Sequence, residues 1–263
     1  MTMVETQLPA AFLASVALVF GCLIGSFLNV VIYRLPREES VVWPGSHCPH
    51  CSTPLNWWEN IPVLSFLALR GRCRTCKDPI SWRYPVVEAS TGLFWMALIL
   101  REGPTPRFFA EALLVSALIA IFWIDIDTML ILDVMTWPGI ALGLVYGAVI
   151  AGAWLPHTAA AVGGYAFFRF IEWASEKALG VPGMGRGDAK LAALMGAWLG
   201  PSGLAVALMI AFTLGSVVGL ALKARAGGES KPFPFGPSMV VGALASLFVG
   251  GALWNWYLGL ILG

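Results

Sequence analysis

Two aspartates, Asp125 and Asp188, are the side chains of this chain best suited to catalysis. Asp125 directly follows an apolar run, and Asp188 directly follows the glycine-rich segment 183–187. A carboxylate at bilayer depth costs about 2.5 to 3.5 kcal/mol on insertion scales, so such a residue at a membrane boundary indicates a function. Two of them predict a pair.

Two apposed carboxylates predict the chemistry of an aspartic protease. Like charges this close cannot both ionise, so the pair holds one proton. One carboxylate takes a proton from water as that water attacks a peptide carbonyl, and the other protonates the oxygen and later the leaving amine. The two roles are interchangeable at this level, because an interacting pair titrates jointly.

Neighbouring aspartates have simpler interpretations. Asp125, Asp127 and Asp133 are assigned to one connection between two apolar spans. On a continuing helix Asp127 projects about 200° away from Asp125, so only one of them faces a bundle. Asp125 is the deeper of the two. Asp133 immediately precedes an apolar helix starting at Val134, and we expect it to be the N-cap.

Capping is also the alternative role of Asp188. A cap, however, does not require the alternate glycines Gly183, Gly185 and Gly187, whose missing Cβ permits positive φ and close approach of a peptide. This segment has neither the G-x-G-x-x-G spacing of a dinucleotide loop nor the G-K-[ST] ending of a P-loop. The sequence also lacks Ser-x-x-Lys, Gly-x-Ser-x-Gly and His-Glu-x-x-His motifs, so no other catalytic set competes.

The composition is that of a polytopic membrane protein. Of 263 residues, 58% are hydrophobic and 12% are charged, whereas soluble domains carry about 25% charged residues. A formal net charge of +1 gives no basic footprint for nucleic acid. Apolar runs of about 17 to 25 residues predict eight transmembrane helices, at 9–33, 85–100, 108–124, 134–155, 158–175, 188–200, 202–222 and 238–262. We expect Gly200-Pro201 to separate two helices rather than kink one.

The distribution of basic residues predicts the orientation. Alternate loops at 34–84, 176–190 and 223–237 hold 7, 3 and 3 of the 16 Lys and Arg residues. Positively charged loops stay on the cytoplasmic side, so both termini face out and both aspartates lie at the cytoplasmic boundary. The first span has an acidic start and a long apolar run, unlike a cleaved signal peptide.

Small and polar residues within the spans predict helix packing. Gly21 with Gly25, and Gly215 with Gly219, form small-xxx-small faces that let helices approach closely. For Asn29 we expect an interhelical hydrogen bond.

A polar loop after the first span carries a zinc-ribbon pattern. Cys48-Pro-His-Cys51 and Cys73-Arg-Thr-Cys76 are separated by 21 residues, which suits a tetrahedral four-thiolate site that folds the loop rather than catalyses. Two disulfides are the alternative, but reducing cytoplasm disfavours them. A further alternative is that His47 or His50 replaces one of the four thiolates as a metal ligand. Cys22 is interpreted as an inert apolar residue.

These motifs resemble those of the type IV prepilin peptidases, a family of leader peptidase/N-methyltransferases. The resemblance covers nearly the whole chain. Its elements are segment 25–36 at the end of the first helix, the paired Cys-x-x-Cys motifs, Arg83-Tyr84-Pro85-Val86-Val87-Glu88, Asp125-x7-Asp133, Gly185-x-Gly187-Asp188-x-Lys190-Leu191 and Pro234-Phe235-Gly236-Pro237. Relatives often read Leu-Pro-Asp where this chain has Ile131-Leu132-Asp133.

The resemblance implies that Asp125 and Asp188 are catalytic. It implies cleavage of type IV prepilins or type II secretion pseudopilins at the cytoplasmic face of the bacterial inner membrane, with both termini periplasmic. The new N-terminal residue would then be N-methylated from S-adenosylmethionine. The implied organisation is a first transmembrane helix (1–33), a methyltransferase-associated loop with a four-cysteine zinc motif (34–84) and a transmembrane aspartic peptidase core (85–263).

Weak candidates for holding the methyl donor are Glu88, Gly92 and the loop that carries the cysteine motifs. For Gly92, helix packing is an equally good explanation. For Glu88, the alternative role is that of an anion at a helix N-terminus, where negative charge is favoured. Two further hypotheses remain for the chain. One is a cleavage-only peptidase with the loop as a docking element, and the other is a non-catalytic assembly or transport protein whose aspartates form a proton path. The sequence speaks against the proton path, because both aspartates are predicted at one membrane face and not near the midplane, and the spans show no repeat.

Overall fold

Long apolar helices make up most of the chain. The computed structural model describes residues 9–180, 184–226 and 233–262. The helices α1 to α8 are Ala10–Arg34, Leu64–Ala68, Arg83–Glu102, Pro106–Thr128, Asp133–Val149, Trp154–Leu179, Arg186–Arg225 and Gly236–Leu262. β-bridge pairing in these residues is limited to two isolated bridges, His47 with Pro54 and Arg72 with Pro79, one at each cysteine motif.

The helices confirm the prediction of an all-α membrane protein. Helices α1, α4, α7 and α8 have the length and hydropathy of membrane spans, and α5 is a shorter apolar helix. Helices α3 and α6 cover the predicted spans 85–100 and 158–175.

Helix α7 contains the predicted break at Gly200. This residue has φ 67° and ψ −174°, so two helical segments meet there. Pro201 follows and has no N–H to give to the preceding turn. His157 of α6 packs against the break, with Nδ1 2.9 Å from the carbonyl oxygen of Ala197.

Two predicted boundaries were wrong. Helix α4 continues to Thr128, so Asp125 and Asp127 are helical and do not belong to a connection. The helix ends where Met129 has φ 53°, and the Met129 N–H bonds the Asp125 carbonyl at 2.9 Å. Helix α5 ends at Val149 instead of residue 155, because the chain turns through Gly152 at φ 65°.

The chain forms two compact units, Met1–Ala120 and Ile121–Gly263. In the first unit, α1 and α3 approach closely as the small residues predicted. A Cβ on Gly21 would stand 2.8 Å from the Cα of Gly92. The expected interhelical hydrogen bond of Asn29 is also present, since its Nδ2 donates to the Tyr84 carbonyl at 3.3 Å.

In the second unit, α7 packs against α5, α6 and α8. The small face at Gly215 and Gly219 receives aromatic rings and not the backbone of another helix, which differs from the prediction. A Cβ on Gly215 would stand 2.6 Å from the ring of Phe235, and one on Gly219 would stand 3.1 Å from the ring of Phe233. Phe235 also contacts the rings of Phe168 and Phe212, at centroid distances of 6.4 and 5.4 Å. The segment leading into α8 is therefore seated on α7.

Candidate active site

Asp125 lies in the last turn of α4 and is only 4% exposed. Its Oδ2 atom is buried and has no hydrogen-bond partner in the described part of the chain. The backbone N–H of Gly236 lies beside the same carboxyl group, but its geometry does not complete a normal hydrogen bond to Oδ2. Burying an unpaired carboxylate oxygen is costly, so this atom suits a site that binds a proton, water or substrate. Asp127 is exposed, as its position relative to Asp125 predicted.

Asp188 lies in the first turn of α7 and is half-buried. Its Oδ2 accepts the backbone N–H of Gly185 at 3.0 Å, one half of a capping box. The other half is missing because Gly185 has no side chain. The carboxyl groups of Asp188 and Asp125 are near enough to interact electrostatically. Both aspartates belong to the second unit.

The glycines before Asp188 act through close packing. Neither Gly185 nor Gly187 has positive φ, contrary to the conformational freedom expected of them, and Gly183 lies outside the described residues. A Cβ on Gly187 would stand 3.0 Å from Cβ of Ile131. Because Ile131 also lies beside Gly236, with Cδ1 3.4 Å from where its Cβ would be, this side chain brings the starts of α7 and α8 together.

Ion pairs hold the first turn of α7 on two sides. Lys190 pairs with Asp133 at the start of α5. Arg186 lies 3.5 Å from Glu172 of α6, which also pairs with Arg169. The N-cap assignment of Asp133 was wrong, since Leu132 is the N-cap and Asp133 is the first helical residue. The carboxylate of Asp133 pairs instead with Lys190, two residues after Asp188.

The four loop cysteines form a second candidate site. Their sulfur atoms all lie within 4.8 Å of one another, with Cys48 to Cys76 at 3.8 Å and Cys51 to Cys73 at 3.9 Å. Bonds of about 2.3 Å from zinc to sulfur place tetrahedral ligands about 3.8 Å apart. The cluster therefore fits a four-thiolate zinc ion.

The pKa values of these thiols also favour a cation bound between them. The Thr53 hydroxyl, 3.2 Å from the sulfur, lowers the pKa of Cys51 to about 6, and the backbone N–H groups of Cys76 and Thr75 lower the pKa of Cys73. The N–H of Asp78 favours the Cys76 thiolate, but burial and the neighbouring thiols outweigh it and raise the pKa of Cys76 to about 12. The thiolates cannot all ionise together without a positive ion among them.

The alternatives for the loop are not seen. All described cysteines are free thiols, including Cys22 in α1, so the structure contains no disulfide among them. His47 lies 3.1 Å from the Gly45 carbonyl, and His50 lies 3.9 Å from Asp78. Neither imidazole belongs to the cluster.

Comparison with known proteins identifies the family. Residues 19–102 match the model of the bacterial peptidase A24 N-terminal domain, and residues 112–220 match that of the type IV leader peptidase family. A prepilin leader peptidase/N-methyltransferase of Aeromonas hydrophila is 38% identical over an alignment that covers 93% of each chain. This chain belongs to the type IV leader peptidase family.

Other relatives of the same description span most of the chain. The one from Neisseria gonorrhoeae is 33% identical over 97% of this chain and 98% of its own length. The one from Myxococcus xanthus is 40% identical over 88% of this chain and 70% of its own length. No solved structure matches the chain.

Glu88 and Gly92 are occupied by contacts within the first unit of this leader peptidase. Oε2 of Glu88 accepts the backbone N–H of Val63 at 2.7 Å, and Ser26 lies beside the same carboxylate. Val63 has φ 61°, which is unusual for a β-branched residue. A Cβ on Gly92 would stand 2.8 Å from the Leu18 carbonyl oxygen. Both residues thus join α3 to its neighbours.

Sequence reasoning placed Gly236, Ile131 and Lys190 within motifs but did not assign them to the aspartate site, and it did not foresee the pairing of Lys190 with Asp133. A signal existed for Gly236, because Phe235-Gly236-Pro237 places a small residue directly before an apolar helix. No local pattern marks Ile131, which is one apolar residue among several.

Proposed function

We propose that this chain cleaves the leader peptide of type IV prepilins or type II secretion pseudopilins, with Asp125 and Asp188 as the catalytic pair. The observation that supports this most directly is the buried Oδ2 of Asp125, which has no hydrogen-bond partner among the described residues and lies within electrostatic reach of Asp188. The membership of the family and the description of the relatives agree with it.

Both aspartates lie at ends of apolar helices. A substrate whose apolar helix stays in the bilayer would present the peptide bond at that helix's end to this depth. One carboxylate removes a proton from the attacking water while the other donates a proton to the carbonyl oxygen, forming the tetrahedral intermediate. The protonated member then gives its proton to the leaving nitrogen as the C–N bond breaks, and the other carboxylate takes a proton back from a hydroxyl group of the collapsing intermediate. The pair returns to its starting state of one shared proton.

The orientation is part of the proposal. The basic loops at 34–84, 176–190 and 223–237 support a chain in the bacterial inner membrane with both termini on the periplasmic side. The aspartates then open to the cytoplasmic face, where the leader of a prepilin lies.

The second proposed activity is N-methylation of the residue exposed by cleavage, as the description of the relatives suggests. S-adenosylmethionine supplies an electrophilic methyl group, which the freed amine attacks. For this activity the cysteine loop, residues 35–82, has to keep a defined shape. The cysteines Cys48, Cys51, Cys73 and Cys76 would hold structural zinc for that purpose. Segment 34–84 is accordingly proposed as the methyltransferase-associated part, and 85–263 as the peptidase core.

The test is cleavage of a prepilin by purified full-length protein carrying Asp125→Asn or Asp188→Asn. Removing an acid–base group is expected to slow cleavage by about 10²- to 10⁴-fold. Asp127→Asn is the matched control, because Asp127 is exposed on the same helical turn and its variant should cleave at a normal rate. Near-normal cleavage by either of the first two variants would show that the pair is misassigned.

Methylation of a pre-cleaved pilin should survive both substitutions. Absence of methyl transfer from the unsubstituted protein would instead favour the cleavage-only alternative.

A further inference from the structure

The cysteine loop exposes large apolar side chains outside the spans. Trp43, Trp57, Leu64 and Trp82 are between 65% and 80% exposed. They lie between the last residue of α1 and the first residue of α3. Exposed apolar groups of this size in a polar segment indicate a surface that is covered by something else.

One part of the loop lies along a membrane span. A cavity of about 300 Å³ is lined by Val41, Val42 and Pro44 of the loop together with Leu23 and Phe27 of α1. Leu23 lies three turns before the end of α1, which is about 16 Å along the helix axis. Trp43, between Val42 and Pro44, is therefore beside the C-terminal half of α1.

A second anchor fixes helix α2 at a similar level. The hydrogen bond of 2.7 Å from the Val63 N–H to Glu88 joins the loop to the second turn of α3. Helix α2 starts at the next residue, and its Leu64 and Leu67 share one face because they are three residues apart. Phe66 points the other way and contacts the ring of Trp82, with centroids 4.7 Å apart.

Basic side chains follow helix α2 directly in the sequence. Arg70, Arg72, Arg74 and Lys77 line a cavity of about 520 Å³ after α2. Arg74 pairs with Glu59 at 3.3 Å, whereas Arg70, Arg72 and Lys77 are exposed and have no ion pair among the described residues. Compensation of thiolate charge accounts for cations near the cysteines. It does not account for the exposed tryptophans and leucines on the same loop.

We propose that the cysteine loop lies on the surface of the bilayer, with Trp43, Trp57, Leu64 and Leu67 among the headgroups and Arg70, Arg72 and Lys77 on the phosphates of acidic phospholipids. Tryptophan prefers the membrane interface, and basic side chains near an acidic leaflet are attracted to it. The loop is thus a lipid-docked element whose shape responds to the charge of the membrane. This inference goes beyond the proposed function and does not depend on the catalytic pair.

The test uses the full chain, with zinc retained, in nanodiscs of phosphatidylcholine alone or of phosphatidylcholine with phosphatidylglycerol. Backbone hydrogen exchange of residues 57–82 should be several-fold slower in the acidic discs. The variant Arg70→Gln/Arg72→Gln/Lys77→Gln should lose this difference. The matched variant Lys223→Gln/Arg225→Gln removes exposed basic residues at the end of α7 and should keep it.

An unchanged zinc content shows that the loop of the triple variant is still folded. Leu64→Ser/Leu67→Ser should speed exchange in both kinds of disc, because the apolar contact does not depend on lipid charge. Equal exchange of the unsubstituted protein in the two lipids would overturn the proposal. So would protection that needs two copies per disc or added prepilin, since those outcomes identify a second copy or the substrate as the occupant. Asp125→Asn should keep the lipid response, which separates this test from that of the peptidase.

Discussion

Gly236, the first residue of α8, lies directly against the carboxyl group of Asp125. A Cβ at this position would stand 3.0 Å from Cγ of Asp125 and nearer still to its Oδ2. The placement follows from Phe235, whose ring fills the space over Gly215 of α7. The start of α8 thereby positions the buried carboxylate, although Gly236 has no functional group in its side chain.

The variant Gly236→Ala should therefore lower kcat for cleavage by at least about 10-fold, because the methyl group displaces the carboxylate that we propose for the proton transfer. KM for the prepilin should change little, since substrate binding is not altered. The measurement is steady-state cleavage together with the thermal midpoint of the purified protein. Gly251→Ala in the same helix is the control, because a Cβ there meets nothing within 4 Å. Equal activity of the two variants would mean that Asp125 tolerates displacement.

The ion pair between Lys190 and Asp133 should have a modest effect. Asp133 is mostly exposed, and exposed ion pairs contribute about 0.2 to 1 kcal/mol. We expect Lys190→Gln and Asp133→Asn each to lower cleavage by less than about 10-fold, the range set by that energy. The double variant should be no worse than either single one, since both remove the same contact. A loss of about 100-fold or more in either single variant would place that residue in the proton transfer itself.

Glu88 should behave as a structural residue of the first unit. Glu88→Ala leaves the Val63 N–H without an acceptor, which costs about 1 to 3 kcal/mol, and should lower the thermal midpoint. Glu88→Gln keeps an acceptor oxygen and should keep most of the stability. Glu39→Ala is the control, because it removes an exposed acid of the cysteine loop that contains Val63. An unchanged thermal midpoint of Glu88→Ala with abolished methylation would contradict this and indicate contact with the methyl donor.

The purified protein should contain about one zinc ion per chain, as a closed four-thiolate site holds one. Cys48→Ser or Cys73→Ser should remove it and increase proteolysis within 35–82, because metal binding and folding of such loops are coupled. Cys22→Ser is the matched control, since that thiol lies in α1 and apart from the cluster. The measurement is elemental analysis with limited proteolysis. Normal zinc content in the Cys48 variant would point to other ligands.

The burial of Asp125 could be predicted because it depends on local pattern. Its position at the end of an apolar run and the helical angle to Asp127 were enough to choose between the two. The N-cap prediction for Asp133 failed because its carboxylate has a tertiary partner, Lys190. A cap is a local preference, and an ion pair with a distant helix overrides it.

The amino-acid sequence by itself determined the all-α membrane architecture, the break at Gly200 and the four-cysteine cluster. Apolar periodicity, the backbone of a Gly-Pro pair and the spacing of ligands are properties of short segments. Only the tertiary structure decided that Gly236 and Ile131 border the aspartates and that Glu88 is used by Val63. Such contacts join residues far apart in the chain, and their partners are selected by how whole helices pack, which no single segment encodes.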